Sequence, residues 1–326
     1  MKRNYKLIIA LILSALFAGC SQDSKGYTIG SASEGSNYYN MAAEIAETVR
    51  EEDSSLSFEV ATSAGSDDNI RNVAARKNTL AIVQADILHY ALSGEGMFSG
   101  DPSYKDLKAV TALYPEAIQL VARNDGFTHD MKSLRNQVIG VGSEGSGTEQ
   151  NAFNILLAYG LNETTVQTVN MSLSESCQAL KDGTINAFFY TSAAPAKDIE
   201  NLAQEIDICL IPIDGEVQEQ LLDQYDYYLD YEIRSKTYHG VNDDVATIGV
   251  MSVLIANEKT DDDIIYKVTK AIFDDPKRIE HAIDMPFSFS SNQNTDVFPS
   301  RITMVRCAGT GNMELILRNN RNRKEC

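Results

Sequence analysis

Positive charge is scarce in this chain: 28 Lys and Arg stand against 46 Asp and Glu, a formal charge of −18. A surface of that sign repels a phosphate backbone, which argues against nucleic acid as a partner. It does not exclude a small anion, because backbone amide dipoles act locally inside a cleft that keeps water out. Four histidines are scattered, and the five cysteines include no Cys-x-x-Cys pair. A zinc or dithiol redox site therefore lacks its ligands, and no metal is expected. The Gly-x-Ser-x-Gly nucleophile elbow, a phosphate-loop Lys and His-Glu-x-x-His are all missing. No enzyme chemistry and no cofactor are expected. Gly140-x-Gly142-x-x-Gly145 does match the dinucleotide fingerprint, but that motif needs an acidic residue at the end of the next strand to hold a ribose. Asn170 stands there instead.

Long apolar runs are missing too. The longest, Leu7 to Phe17, is too short for a transmembrane helix. It follows Lys2, Arg3 and Lys6 and leads into small residues ending at Cys20, the layout of a secretory signal over residues 1–20. Phe17-Ala18-Gly19-Cys20 resembles the bacterial lipoprotein cleavage box, with Phe17 where Leu is usual. The reading is an extracytoplasmic protein anchored to a membrane by acylated Cys20, with residues 21–26 as a polar tether. Removing three positive charges with the signal takes the net charge from −18 to about −21. About 300 residues remain, a two-lobe size. Cys177 and Cys209 read as packed thiols; with Cys307 and Cys326 they leave room for one disulfide whose pairing stays open.

What is present is a strand breaking into a Gly/Ser loop and then a helical pattern: Val138-Ile139-Gly140-Val141-Gly142-Ser143-Glu144-Gly145-Ser146-Gly147-Thr148-Glu149. Glycines allow tight turns and close approach, and Ser and Thr supply hydroxyls beside first-turn amides that lack partners. That is a seat for an anion. Ile29-Gly30-Ser31-Ala32-Ser33-Glu34-Gly35-Ser36-Asn37-Tyr38 repeats the pattern. Two such seats far apart in the chain point to two lobes facing one ligand.

The body alternates short apolar runs with helical stretches, the pattern of an α/β fold of two lobes, each a mostly parallel sheet flanked by helices, with the ligand cleft between them. Residues 27–122 form the first part of lobe one. Within them, Leu80 to Val83 is a buried strand delivering Gln84 to the end where ligands collect, and Ala109 to Ala122, broken by Pro115, is the first crossing. Residues 123–244 form lobe two, with an acidic, Tyr-rich helical stretch between Glu216 and His239. Residues 245–286 return to lobe one, and Thr260-Asp261-Asp262-Asp263 caps a helix rather than binding metal. The hinge is placed near Pro115 and Val245. Residues 287–326 form a basic tail, expected to be loosely packed after about Ser290.

Several loops resemble one family. They are Tyr27 to Gly30 with Gly35 to Tyr39, Ser66-Asp67-Asp68-Asn69-Ile70-Arg71, Val83-Gln84-Ala85-Asp86, Tyr114-Pro115-Glu116, Gly145 to Glu149, and Asp244 to Val250. Together they are similar to the TAXI solute-binding proteins of TRAP transporters over residues 27–284. The resemblance implies a periplasmic binding protein that hands a small carboxylate, such as glutamate or 2-oxoglutarate, to membrane permease subunits driven by an ion gradient. The chain departs from the family at Ala246, where Pro is common, and in the tail. A binding protein for an ATP-driven importer of an amino acid or organic anion shares the same architecture and is the alternative.

The candidate ligand residues are Ser31, Ser33, Ser36, Asn37 and Tyr38 from the first seat, with Ser66 and Gln84 from neighbouring strand ends. Lobe two offers Ser143, Ser146, Gly147, Thr148 and Tyr190. Each Ser or Thr taken singly is equally well a helix cap. Arg71, a turn inside its helix, and Arg123, at the hinge, are read as structural.

The lipid anchor is testable by metabolic labelling with a clickable fatty acid. The parent chain is expected to carry label that Cys20→Ala loses; persistent label in the variant would remove the assignment.

Overall fold

Within the strand at Leu80–Gln84, Leu80 and Ile82 face one hydrophobic cluster while Ala81 and Val83 face another. A strand buried on both faces needs helices on both sides of its sheet. The structure, a computed structural model, describes residues 26–102, 104–283, 300–306 and 313–319. It supplies those helices in a repeated strand, loop and helix order.

The first half runs β1 (Tyr27–Gly30), α1 (Asn37–Glu52), β2 (Phe58–Ala61), α2 (Ser66–Ala74), β3 (Leu80–Gln84) and α3 (Ala85–Ser93). The long strand β4 (Leu107–Arg123) follows. The second half repeats the order with β5 (Val138–Gly140), α4 (Gly147–Ala158), β6 (Gln167–Val169), α5 (Leu173–Asp182), β7 (Ala187–Ser192) and α6 (Lys197–Glu205). After β8 (Ile208–Leu210), α7 (Gly215–Gln224) and β9 (Tyr228–Ile233), β10 (Val245–Asn257) returns to the first half. There α8 (Asp262–Asp274) and α9 (Pro276–His281) pack.

The strand order is β2-β1-β3-β10-β4-β7-β5-β6. It reads alike from both ends: β1 lies parallel to β2 and β3, and β5 lies parallel to β6 and β7. Between these triplets, β10 and β4 run antiparallel to each other and to the triplets they border. This is the expected α/β architecture. Ile29, Met41, Ile45, Leu254, Val268 and Ile272 fill the core under α1 and α8. Phe188, Leu180, Ile199 and Leu202 fill the core under α5 and α6. A third core, including Ile70, Val83, Ile87, Ile155 and Val253, continues from one half into the other.

Two expectations change. The stretch from Glu216 to His239 is not wholly helical, because Tyr228–Ile233 forms β9 against β10. Buried Tyr228 and Ile233 bracket an exposed-leaning Asp230 and Glu232, so the acidic residues are the solvent side of an edge strand. In the tail, β11 (Ser300–Arg306) and β12 (Met313–Asn319) pair antiparallel, and β11 meets β4 at Arg301 and Ala109, so part of the expected loose tail is paired strand. The rest of that expectation, like the signal and Cys20, lies outside the described residues. Asp261 caps α8 as expected, accepting from the Asp263 amide at 2.9 Å. Cys177 and Cys209 are free thiols, and burial pushes Cys177 up to about 12, which keeps it unreactive. Among the described residues no helix is long and apolar enough to cross a membrane.

Leu254, fully buried at the centre of β10, gives a direct test of this core. Leu254→Ala is expected to cost about 2–5 kcal/mol in urea unfolding. Leu157→Ala, on the exposed face of α4, should stay within about 0.5 kcal/mol.

Candidate functional site

Parallel strands present their C-terminal ends on one edge, and each following helix begins there. Both halves turn that edge inward around a cavity of about 240 Å³. From the first half, Ser33, Ser36, Asn37 and Tyr38 line it at the start of α1, with Ser66 at the start of α2 and Gln84 at the end of β3. Ser143, Ser146, Gly147, Thr148 and Tyr190 line it from the second half. Ser31 is not among them. Its side chain is buried in the sheet and donates to the Ala61 carbonyl at 3.0 Å, so it ties β1 to β2.

The seats are built as matched caps. Ser36 accepts from the Tyr39 amide and Ser146 from the Glu149 amide, both at 3.2 Å. Both glycines before the caps, Gly35 and Gly145, take positive φ. Beyond each cap lie first-turn amides with no intrahelical acceptor, those of Asn37 and Tyr38 and those of Gly147 and Thr148. The N-terminus of α2 and, through Ser172, Leu173 and Ser176, that of α5 also reach the cavity. Their dipoles make the cavity favourable to negative charge. One loop amide of the second seat is already engaged, because Glu149 accepts from the Gly145 amide at 2.7 Å and from Asn170 at 2.6 Å. Asn170, where a nucleotide-binding fold needs an acid, therefore fastens the loop.

The halves touch across the cavity. Asn37 donates to the Ser192 hydroxyl at 3.1 Å, and Asn151 donates to Gln84 at 3.2 Å. Gly147 packs so closely on Gln84 that a Cβ there would lie 2.0 Å from its amide oxygen. Ser66 accepts from the Gln84 amide and Thr148 from the Thr191 amide, both at 3.1 Å. Thr148 thus holds the β7 backbone as well as facing the cavity.

Sequence reasoning missed Glu116. It lines the cavity from β4, is 2% exposed, and accepts from the Tyr38 hydroxyl at 3.0 Å. Burial, reinforced by nearby Asp86, pushes its carboxyl up to about 8. Asp86, on the first turn of α3, is fully buried, and burial pushes it up to about 7 against the lowering effect of the Ile87 amide and the Asn151 side chain. An acid inside the apolar run from Ala109 to Ala122 was the available signal, since carboxylates rarely enter cores unpaired. Among the described residues lining the cavity none is Lys, Arg or His. Arg71 is held by Asp67 and Asp101, and Arg123 donates to the Leu180 and Lys181 carbonyls, so both are structural.

Fold and site together define a periplasmic binding protein architecture, and comparison with solved structures agrees. The structure of the periplasmic binding protein BugD is similar at 14% identity, covering 78% of this chain and 85% of that one with a TM-score of 0.53. A putative L-cystine ABC transporter protein from Listeria monocytogenes is similar at 14% identity over 81% of this chain and 98% of that one, with a TM-score of 0.52. An ancestral arginine-binding protein bound to arginine is similar at 12% identity over 79% and 96%, with a TM-score of 0.50. The NMT1-like family model matches residues 29–295, and the chain belongs to that family.

The buried carboxyls give a signed pH prediction. Unfolded, both titrate near ~4; folded, they hold their protons to about 8 and about 7. The stability they add is present below ~4 and is lost as pH rises through those folded values. Calorimetry of ligand-free protein should show the unfolding midpoint falling between about pH 4 and 8, with a shallower fall in Glu116→Gln. An equal slope in parent and variant would show that Glu116 does not carry the effect.

Proposed function

We propose that the chain is the extracytoplasmic solute-binding component of a membrane importer, capturing a small carboxylate by closure of its two lobes. The observation that carries this reading is the convergence of capped helix N-termini from both halves on one cavity. Charge-assisted bonds to a carboxylate are weak while one face stays in water. Closure replaces that water with fixed donors, so the ligand favours the closed form through contacts only that form makes. The ligand residues are those lining the cavity named above.

The partner is a permease, with the protein held at the membrane by Cys20. The sequence motifs point to a TRAP permease of the TAXI type. The comparisons support an ATP-driven importer better, since a likeness spanning 81% of the chain is to an ABC-transporter protein. A neighbouring gene for a nucleotide-binding subunit accords with that partner, and one for a fused TRAP permease with the other. Domain bounds of 27–122 with 245–286 for one lobe, and 123–244 for the other, accord with β4 and β10 as the crossings.

Native mass spectrometry of freshly purified protein would weigh a retained ligand, and calorimetry would then test the seats. Ser143→Ala removes a cavity-facing hydroxyl, and a bond to a charged group contributes about 1.5–3 kcal/mol. Affinity is expected to fall by about one to two orders of magnitude with little change in stability. Thr148→Val should weaken binding comparably and also cost about 1–3 kcal/mol in folding, because it leaves the Thr191 amide unpaired. Unchanged affinity in both variants would reduce the second seat to a helix cap.

A further inference from the structure

Among the described residues lining the cavity, Glu116 is the only carboxylate and none is basic. Around it, Tyr38 comes from α1, Asp86 from the first turn of α3 and Tyr190 from β7, while Tyr114 lies on the same strand. Gln84 from β3 contributes a neutral amide, and β10 contributes Val250 and Gly249 opposite this stretch. None of these is a cation. A buried carboxyl without a counter-charge is costly, and a neutral amide of the same shape would keep the Tyr38 bond without that cost. The missing charge therefore points to something that enters the cavity.

We propose that Glu116 receives an ammonium group of the solute, so that the cleft selects a zwitterion, an α-amino acid whose carboxylate lies at the helix N-termini and whose ammonium lies against Glu116. This rests on the solute-binding reading above and goes further by choosing the amino acid over the corresponding 2-oxo acid. The cavity of about 240 Å³ suits such a solute, being below the roughly 300–1,000 Å³ of sites for drug-sized ligands. In the empty protein the Glu116 carboxyl keeps its proton. Arrival of the ammonium displaces that proton to water, leaving a carboxylate and ammonium pair in a site screened from solvent. Binding therefore releases protons below about pH 8, and affinity for the amino acid rises with pH toward that value.

The test pairs each of several L-amino acids with its 2-oxo acid: L-glutamate with 2-oxoglutarate, L-alanine with pyruvate, L-aspartate with oxaloacetate, and L-phenylalanine with phenylpyruvate. Each is titrated calorimetrically into the parent and into Glu116→Gln, in two buffers of different ionisation enthalpy to count protons. At least one amino acid is expected to bind the parent about 100-fold more tightly than its 2-oxo partner and to release up to one proton near pH 6.5. Glu116→Gln, with its fold checked by its unfolding midpoint, should bring the amino acid level with the 2-oxo acid and abolish the proton release. A parent that binds the 2-oxo acid as tightly, or a variant that keeps the preference, overturns the proposal while leaving the solute-binding reading in place. If no compound of either class binds the parent, both readings fall.

Discussion

The antiparallel pairing of β4 with β10 is the constraint on which the rest of the structure depends. Each strand belongs to both halves: β10 pairs with β3 from Ser252 to Ala256, and β4 pairs with β7 from Ala117 to Ala122. The two ladders end at the same place. Ser252 stands opposite Gln84 and Ala117 opposite Ser192, and Glu116 lies beside that junction, opposite Val250. The floor of the cavity is thus the point where one half's ladder stops and the other's begins. Pro115 is tolerated in so central a strand because the β4–β10 register shifts between Met251 and Val253, next to its own partner Met251.

From that junction the electrostatics follow. Parallel triplets on either side aim their strand ends and their helix N-termini at the same space, so partial positive charge arrives without a Lys or Arg. A strongly acidic chain can in this way keep an anion-favouring cleft, because the amide dipoles are local and the net charge is spread over a screened surface. Glu116 and Asp86 are the counterweight, two acids buried among tyrosines and amides. Their burial favours the neutral forms and makes the ligand-free fold sensitive to proton binding in a range where the surface carboxylates have already ionised.

The buried strand at Leu80 to Val83, the Ser36 and Ser146 caps and the Asp261 cap were legible in the sequence because each rests on residue types within a short stretch. The two seats were legible for the same reason, down to the glycines that precede each cap. β9 was not legible: Asp230 and Glu232 look like helix surface until β10 is present to bury Tyr228 and Ile233. Ser31 looked equivalent to Ser33 and Ser36, yet its hydroxyl faces the neighbouring strand, and only the β1–β2 pairing reveals that.

The sequence by itself determined the strand, loop and helix units, their repetition, and the residue types offered at each helix start, since capping, turn geometry and apolar period are local. Tertiary structure decided which of those residues share a cavity. Glu116 became a site residue because two ladders end beside it, Thr148 acquired a second bond because β7 passes its helix, and Gly147 met Gln84 because the halves close on each other. Each of these depends on backbone placed by residues far along the chain, and pairing over that separation is set by the packing of whole sheets rather than by any local stretch.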